Sequence, residues 1–203
     1  MRTSVSASKR ALEWVKQQGG MVRSKDAITS GIYARTLTQL KKEGKLDQIS
    51  RGFYRLAAKK SMSNPDLVTV AVSVPKAVIC LISALSFHRL TTQIPHKVYV
   101  ALPELTRSPK QDYPPLAIHR FRGNAFEEGI EKHLIDGVNV KIYSPEKTLA
   151  DCFKFRNKIG MDVVLEALKF YRAQKKFDIR AIMKYAKICR VEKQMRPYLE
   201  AMA

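Results

Sequence analysis

The chain has 203 residues, with 37 Lys and Arg against 18 Asp and Glu and a formal net charge of +19 at pH 7. That length can bury a real core in one or two domains, and that charge fits a polyanionic partner, of which nucleic acid is the commonest. A membrane surface is the second candidate, but the sequence has no uncharged apolar run near ~18 residues, no signal peptide and no lipidation motif, so no membrane partner is expected and the cytoplasm is the default location.

The charge is segregated. Residues 1–60 hold 14 Lys and Arg against 4 Asp and Glu, residues 61–143 hold 9 against 7, and residues 144–203 hold 14 against 7. The two ends are strongly basic and the middle is close to neutral.

In chain order, Ser8 to Gln18 reads as a helix with Ala11, Leu12 and Val15 inward, stopped by Gly19-Gly20. Trp14, the only tryptophan, is expected to pack on this domain, with stacking on a partner as the alternative. Gly20 to Leu56 then reads as helix, turn, helix and hairpin. Ser24 is a candidate cap for the first of these helices. Ala27 and Ile28 give it an inward side, and Gly31 supplies the left-handed residue of a sharp turn. The second helix, from about Ala34 to Glu43, puts Leu37 and Leu40 inward together with Tyr33.

That leaves Arg35, Thr38, Gln39 and Lys42 on the opposite side, with Thr36 and Lys41 flanking. These side chains can reach phosphates and base edges in a major groove. Leu46 to Ile49 and Phe53 to Leu56, joined by Ser50-Arg51-Gly52, form a wing with arginine at its tip. Asp47, Gln48 and Ile49 do not alternate cleanly, which predicts a bulge. The whole is a winged helix-turn-helix. Arg23, Ser24 and Lys25 would hold phosphates, and Arg51 would enter a minor groove or clamp the backbone. Arg55 is a weaker candidate.

Ala57 to Ser63 reads as a linker between a DNA-binding domain over residues 1–58 and a second domain over 64–203. Asn64-Pro65 starts a helix carrying Leu67, Val70, Ala71 and Val74, which ends before Pro75. Ala77 to Ile82 is short and apolar enough for a buried strand, and Ser83 is a candidate cap for a helix from Ala84 to Leu90. Strands are expected over Lys97–Leu102 and Leu116–Arg122. A hairpin over Ile130–Tyr143 would turn on Asp136-Gly137. The region 64–143 is thus a small mixed or antiparallel sheet with helices, and the fold class is α+β.

Ser144-Pro145-Glu146 is a strong helix start, and residues 144–203 are helical: Lys147–Phe155, Met161–Ala173, Ile179–Ile188 and Val191–Met202. Lys147 and Asp151 are read as an i, i+4 surface pair. Arg180, Lys184 and Lys187 share a helix stripe, with Lys176 nearby. An ordinary solvated face is one reading of it, and a second surface for nucleic acid or an acidic partner is the other.

Cys80, Cys152 and Cys189 are widely spaced and odd in number, so buried reduced thiols are expected rather than a disulfide framework or zinc ribbon. The histidines (His88, His96, His119, His133) show no metal spacing. With no GxGxxG, P-loop, HExxH or GxSxG, no enzyme, metal or cofactor is expected.

The stretch GGMVRSKDAITSGIYARTLTQLKKEGKLDQISRGFYRLA resembles the N-terminal domain of the AbiEi family, most tellingly at Arg35-Thr36-Leu37 and at Ser50 to Leu56. PKAVICLISALSFHRLTTQIPHKVYVALP and KIYSPEKTLADCFKFRNKIGMDVVLEALK resemble that family's C-terminal domain, so the resemblance covers nearly all of the chain. It implies an antitoxin of a type IV toxin–antitoxin system linked to abortive phage infection. The winged domain would bind inverted repeats at its own promoter and repress it; separately, the modest interface of a single winged module predicts two copies to an operator. The C-terminal domain would neutralise a nucleotidyltransferase-like toxin without requiring a stable complex. The alternative reading is an RNA-binding or protein-interaction adaptor that works through its basic C-terminal helices.

Overall fold

The structure is a computed structural model that describes residues 2–57, 63–111, 113–174 and 177–202, with side chains from residue 7 onward. Most of the expected linker, residues 58–62, and Lys176 lie outside the described residues. The chain divides into two compact units, Met1–Ser73 with Leu134–Val138, and Val74–His133 with Asn139–Ala203.

The first unit contains α1 (Arg2–Gln17), β1 (Met21–Arg23), α2 (Ser24–Thr29), α3 (Ala34–Lys42), β2 (Leu46–Ser50), β3 (Phe53–Leu56) and α4 (Pro65–Ser73). β3 lies between β1 and β2 and pairs antiparallel with both. The wing register slips between Gln48 and Ser50, which is the bulge expected from the broken alternation. Ala11, Val15, Val22, Ala27, Ile32, Leu37, Leu40 and Leu46 form the core, with Trp14 packed against it.

Helix ends in this unit are set by glycine. At the end of α2, Gly31 has φ +79°, the Gly31 amide donates to the Ile28 carbonyl and the Ile32 amide to that of Ala27. The pattern recurs after α3, where the Gly44 amide donates to Lys41 and that of Lys45 to Leu40. Both are Schellman motifs, which satisfy the last carbonyls of a helix and require a left-handed residue.

Three local expectations are corrected. Ser24 does not cap α2: Arg23 holds the cap position with no side-chain bond, because the Ser24 amide instead donates to Gly52 O of the wing turn at 2.8 Å. Ile28 is 53% exposed, since a six-residue helix buries one position, Ala27, and Ile32 beyond the turn completes that side of the core. Tyr33 is 65% exposed. Its extended backbone leads into α3 (φ −68°, ψ 142°), which takes it off the apolar face of that helix.

The second unit contains β4 (Val78–Ile79), α5 (Leu81–Phe87), β5 (Val98–Pro103), β6 (Leu116–Phe121), α6 (Asn124–Glu127), β7 (Ile130–Ile135), β8 (Val138–Tyr143), α7 (Pro145–Lys154), α8 (Arg156–Ile159), α9 (Met161–Ala173), α10 (Ile179–Ile188) and α11 (Glu192–Glu200); the tip of the β7–β8 hairpin is assigned to the first unit. The sheet order is β6-β5-β4-β8-β7, and it is mixed: β4 runs antiparallel to β5 but parallel to β8, and β5 runs parallel to β6. Asp136 and Gly137 both have positive φ, as a two-residue hairpin turn of the primed type demands.

The apolar run from Ala77 to Ile82 does not stay extended. Leu81 is left-handed (φ +44°) and starts α5, so Ser83 lies inside the helix rather than capping it. Its hydroxyl accepts from the Tyr99 amide at 3.0 Å. This continues, through a side chain, the ladder in which the Cys80 amide donates to Tyr99 O.

Ser144 caps α7 as expected, its hydroxyl accepting from the Lys147 amide at 3.2 Å. Ser144→Ala is expected to cost about 1 kcal/mol, read as a lowered midpoint in denaturant with an unchanged slope. Lys147 and Asp151, expected at the surface, are fully buried and hydrogen-bonded to each other. The reason is position: α7 packs against α5, α9 and α10, so little of its circumference is left to water.

Candidate nucleic-acid interface

The exposed side of α3 carries Arg35, Thr38, Gln39, Lys41, Lys42 and, at its C-cap, Glu43. Five of these six were named from the sequence. The Arg35 guanidinium lies over the Tyr33 ring, 5.0 Å from its centre, which restricts a long side chain to one side of the helix start. Thr38 Oγ1 donates back to Ala34 O at 3.2 Å, leaving its lone pairs outward. Lys41 Nζ donates to Gln48 of the wing at 2.8 Å. Thr36 is 8% exposed and faces the core, because the first turn of α3 rotates it to the side of Leu37 and Leu40.

The residues expected to hold phosphates separate into two kinds. Lys25 and Arg51 are exposed, Arg51 standing at the wing turn between β2 and β3. Arg23 is committed inside its unit, its guanidinium 5.0 Å from the Phe53 ring centre and donating to Val72 O at 3.1 Å. Ser24 is half-buried. Arg55 pairs with Asp47 at 2.9 Å.

The other wall of this surface has no signature in the sequence beyond charge and spacing. A groove of about 840 Å³ lies beside α3, lined among others by Lys9 and Leu12 of α1 and by Tyr33, Arg35, Gln39 and Lys45. Glu43 also lines it, accepting from Gln39 Nε2 at 3.0 Å and from Lys45 Nζ at 2.7 Å. These bonds, that of Lys45 foremost, hold the Glu43 carboxyl below its usual range. The i, i+4 spacing of Gln39 and Glu43 was the available signal. Lys9 had none beyond its charge.

In the second unit Arg180, Lys184 and Lys187 are all exposed on α10. Lys184 lies 3.4 Å from Glu128, so the stripe is partly neutralised. Among the described residues, no group of three or more His, Cys, Asp or Glu side chains could hold a metal ion, and no helix is long and apolar enough to cross a membrane.

Residues 9–57, from within α1 to just past β3, match the family described as transcriptional regulator, AbiEi antitoxin. The N-terminal domain is of the AbiEi type. AbiEi proteins form a family of DNA-binding regulators and antitoxins of toxin–antitoxin systems, not one known for catalysis. The match leaves the second unit uncovered. A crystal structure of the RV2827C protein from Mycobacterium tuberculosis is similar over 90% of this chain and 71% of its own, with a TM-score of 0.61 and 13% identity. That likeness shows a shared fold, extending beyond the AbiEi-type domain. No curated protein matches the sequence.

Proposed function

We propose that this protein is a sequence-specific autorepressor and the antitoxin of a type IV toxin–antitoxin operon, acting in the cytoplasm against a nucleotidyltransferase-like toxin. What chiefly supports the DNA-binding half is the exposed polar and basic face of α3 in an AbiEi-type domain. In this reading residues 1–58 bind promoter DNA and residues 64–203 carry the antitoxin role. Arg35 and Gln39 read base edges in the major groove, with Thr38 and Lys42 beside them. Lys25 and Arg51 bind backbone phosphate, Arg51 from the wing, while Arg23 and Ser24 brace the wing against α2. Thr36 supports the recognition helix from the core side. A single winged module makes a modest interface, so two copies occupy an inverted repeat. The toxin is countered without need of a stable complex.

The test is a gel-shift titration of the full chain on the gene's own upstream DNA, with scrambled duplex as competitor, at two salt concentrations. A preference of about a thousandfold or more is expected for specific readout. Arg51→Ala is expected to weaken binding to both duplexes and to reduce the salt slope by about one. Equal, salt-labile binding to both duplexes by the wild type would instead favour the adaptor reading, which the exposed Arg180, Lys184 and Lys187 support.

A further inference from the structure

We infer that Glu43 is a specificity-determining positioning residue, which orients the Gln39 amide so that one edge of it is presented to an adenine. The inference rests on the proposed reading of α3 as a recognition helix.

A glutamine side chain carries one acceptor oxygen and an NH2 group with two hydrogens. The hydrogen cis to the oxygen shares an edge with it, and that edge matches the N6 donor and N7 acceptor of adenine in the major groove. The other hydrogen points away. An unrestrained glutamine on an exposed helix can present either its oxygen or its nitrogen to a given base atom, and so discriminates poorly.

Glu43 removes that ambiguity. An ionised carboxylate only accepts, so it can engage the NH2 of Gln39 and never its oxygen. Nε2 of Gln39 lies 3.0 Å from Oε1 of Glu43. The carboxylate is itself held from its other side, Oε2 accepting from Lys45 Nζ at 2.7 Å. Lys45 is placed by Gly44, whose left-handed turn ends α3 and sends the chain into β2. The three side chains thus form a relay from the helix end to the reading position. With Glu43 taking the amide hydrogen trans to Oε1, as the inference requires, the edge bearing Oε1 and the second hydrogen is left to the base.

Charge supports a role in selectivity rather than in affinity. A carboxylate on the surface that meets a polyanion opposes binding of every duplex alike, so Glu43 weakens nonspecific binding while it sharpens choice.

The test is selection of bound duplexes from a randomised pool by the full-length wild type, Glu43→Ala, Glu43→Gln, Gln39→Ala and the double variant Gln39→Ala/Glu43→Ala. Glu43 is on the exposed face, so these variants keep the fold. Glu43→Ala should lose about tenfold or more in preference at one base pair, the same pair that Gln39→Ala flattens. The double variant should lose no more at that pair than Gln39→Ala alone. Glu43→Gln loses the charge and gains an NH2 that can donate to Gln39 Oε1, so the amide is again free to turn either way. It should bind all duplexes more tightly and still lose preference at that pair. The inference is overturned if Glu43→Ala selects the wild-type sequences, or if its loss falls on a different pair from that of Gln39→Ala. A wild type that selects no sequence at all overturns the recognition-helix reading first, and the inference with it.

Discussion

Lys147→Ala is expected to cost the second unit about 3–5 kcal/mol, because it leaves an uncompensated carboxylate in a core. Lys147 and Asp151 bond to each other at the centre of that unit. The Lys147 ammonium also lies 4.4 Å from the centre of the Tyr143 ring and 4.9 Å from that of Phe121. Asp151 Oδ1 accepts from the Cys189 thiol at 3.1 Å. Every polar atom at this point depends on the others, so truncating one strands the rest. At roughly 2–4 °C per kcal/mol for a chain of this size, the thermal midpoint should fall by roughly 6–20 °C.

The loss should also depend on pH. Burial pushes the Asp151 carboxyl up against the opposing pull of Lys147, and removing Lys147 removes that pull. A carboxyl raised in the folded state is stabilised by protonation: its contribution is complete below the unfolded value and is lost as pH rises through the folded one. Lys147→Ala should therefore be most deficient near neutral pH and recover as the pH falls towards the ordinary carboxylate range. Replacing the pair together, as Lys147→Met with Asp151→Asn, should restore more than half of the loss, since a buried pair exchanged as a unit leaves no unpaired charge. Urea unfolding followed at several pH values decides this. A deficit below 1 kcal/mol at every pH would show that water reaches Asp151.

Arg35→Ala is expected to abolish discrimination at one base pair, a loss of roughly 1–3 kcal/mol, or about 5- to 150-fold. The guanidinium over Tyr33 is already restricted in the free protein, so less freedom is lost when it pairs with the two acceptors of a guanine edge. Arg35→Lys keeps the charge but not the planar fork. It should retain the salt dependence of the wild type and still fail to discriminate. Gel shifts on duplexes substituted one position at a time would show this. If Arg35→Lys kept full base preference, Arg35 would be a phosphate contact. Tyr33→Ala should give part of the same loss, as the ring is the support of the guanidinium.

Features whose causes lie within a few residues are legible in the chain before it folds. Gly31 and Asp136-Gly137 specify left-handed turns wherever the chain goes next, and the structure has them at both sites. Ser144-Pro145-Glu146 starts a helix with its own cap, and the broken alternation at Asp47 to Ile49 marks the bulge. The exposed polar face of α3 followed from the spacing of Leu37 and Leu40, which any helix would bury on one side. The charge segregation and the AbiEi resemblance of the first domain were equally visible, and the family match lies on that domain.

Features that depend on the neighbour an element meets are settled by packing. A Lys and an Asp four apart look alike on a surface and in a core, and α7 became internal because three other helices cover it. Ser83 read as a cap because nothing nearby revealed that Leu81 would turn first and that Tyr99 would need an acceptor. β1 is too short to show a period, and it exists because β3 supplies its partner. Arg23 was as plausible a phosphate ligand as Arg51 until folding placed a ring and a carbonyl beside Arg23 and left Arg51 exposed. Residue type sets what a side chain can do, while packing decides which of those capacities is left free to act.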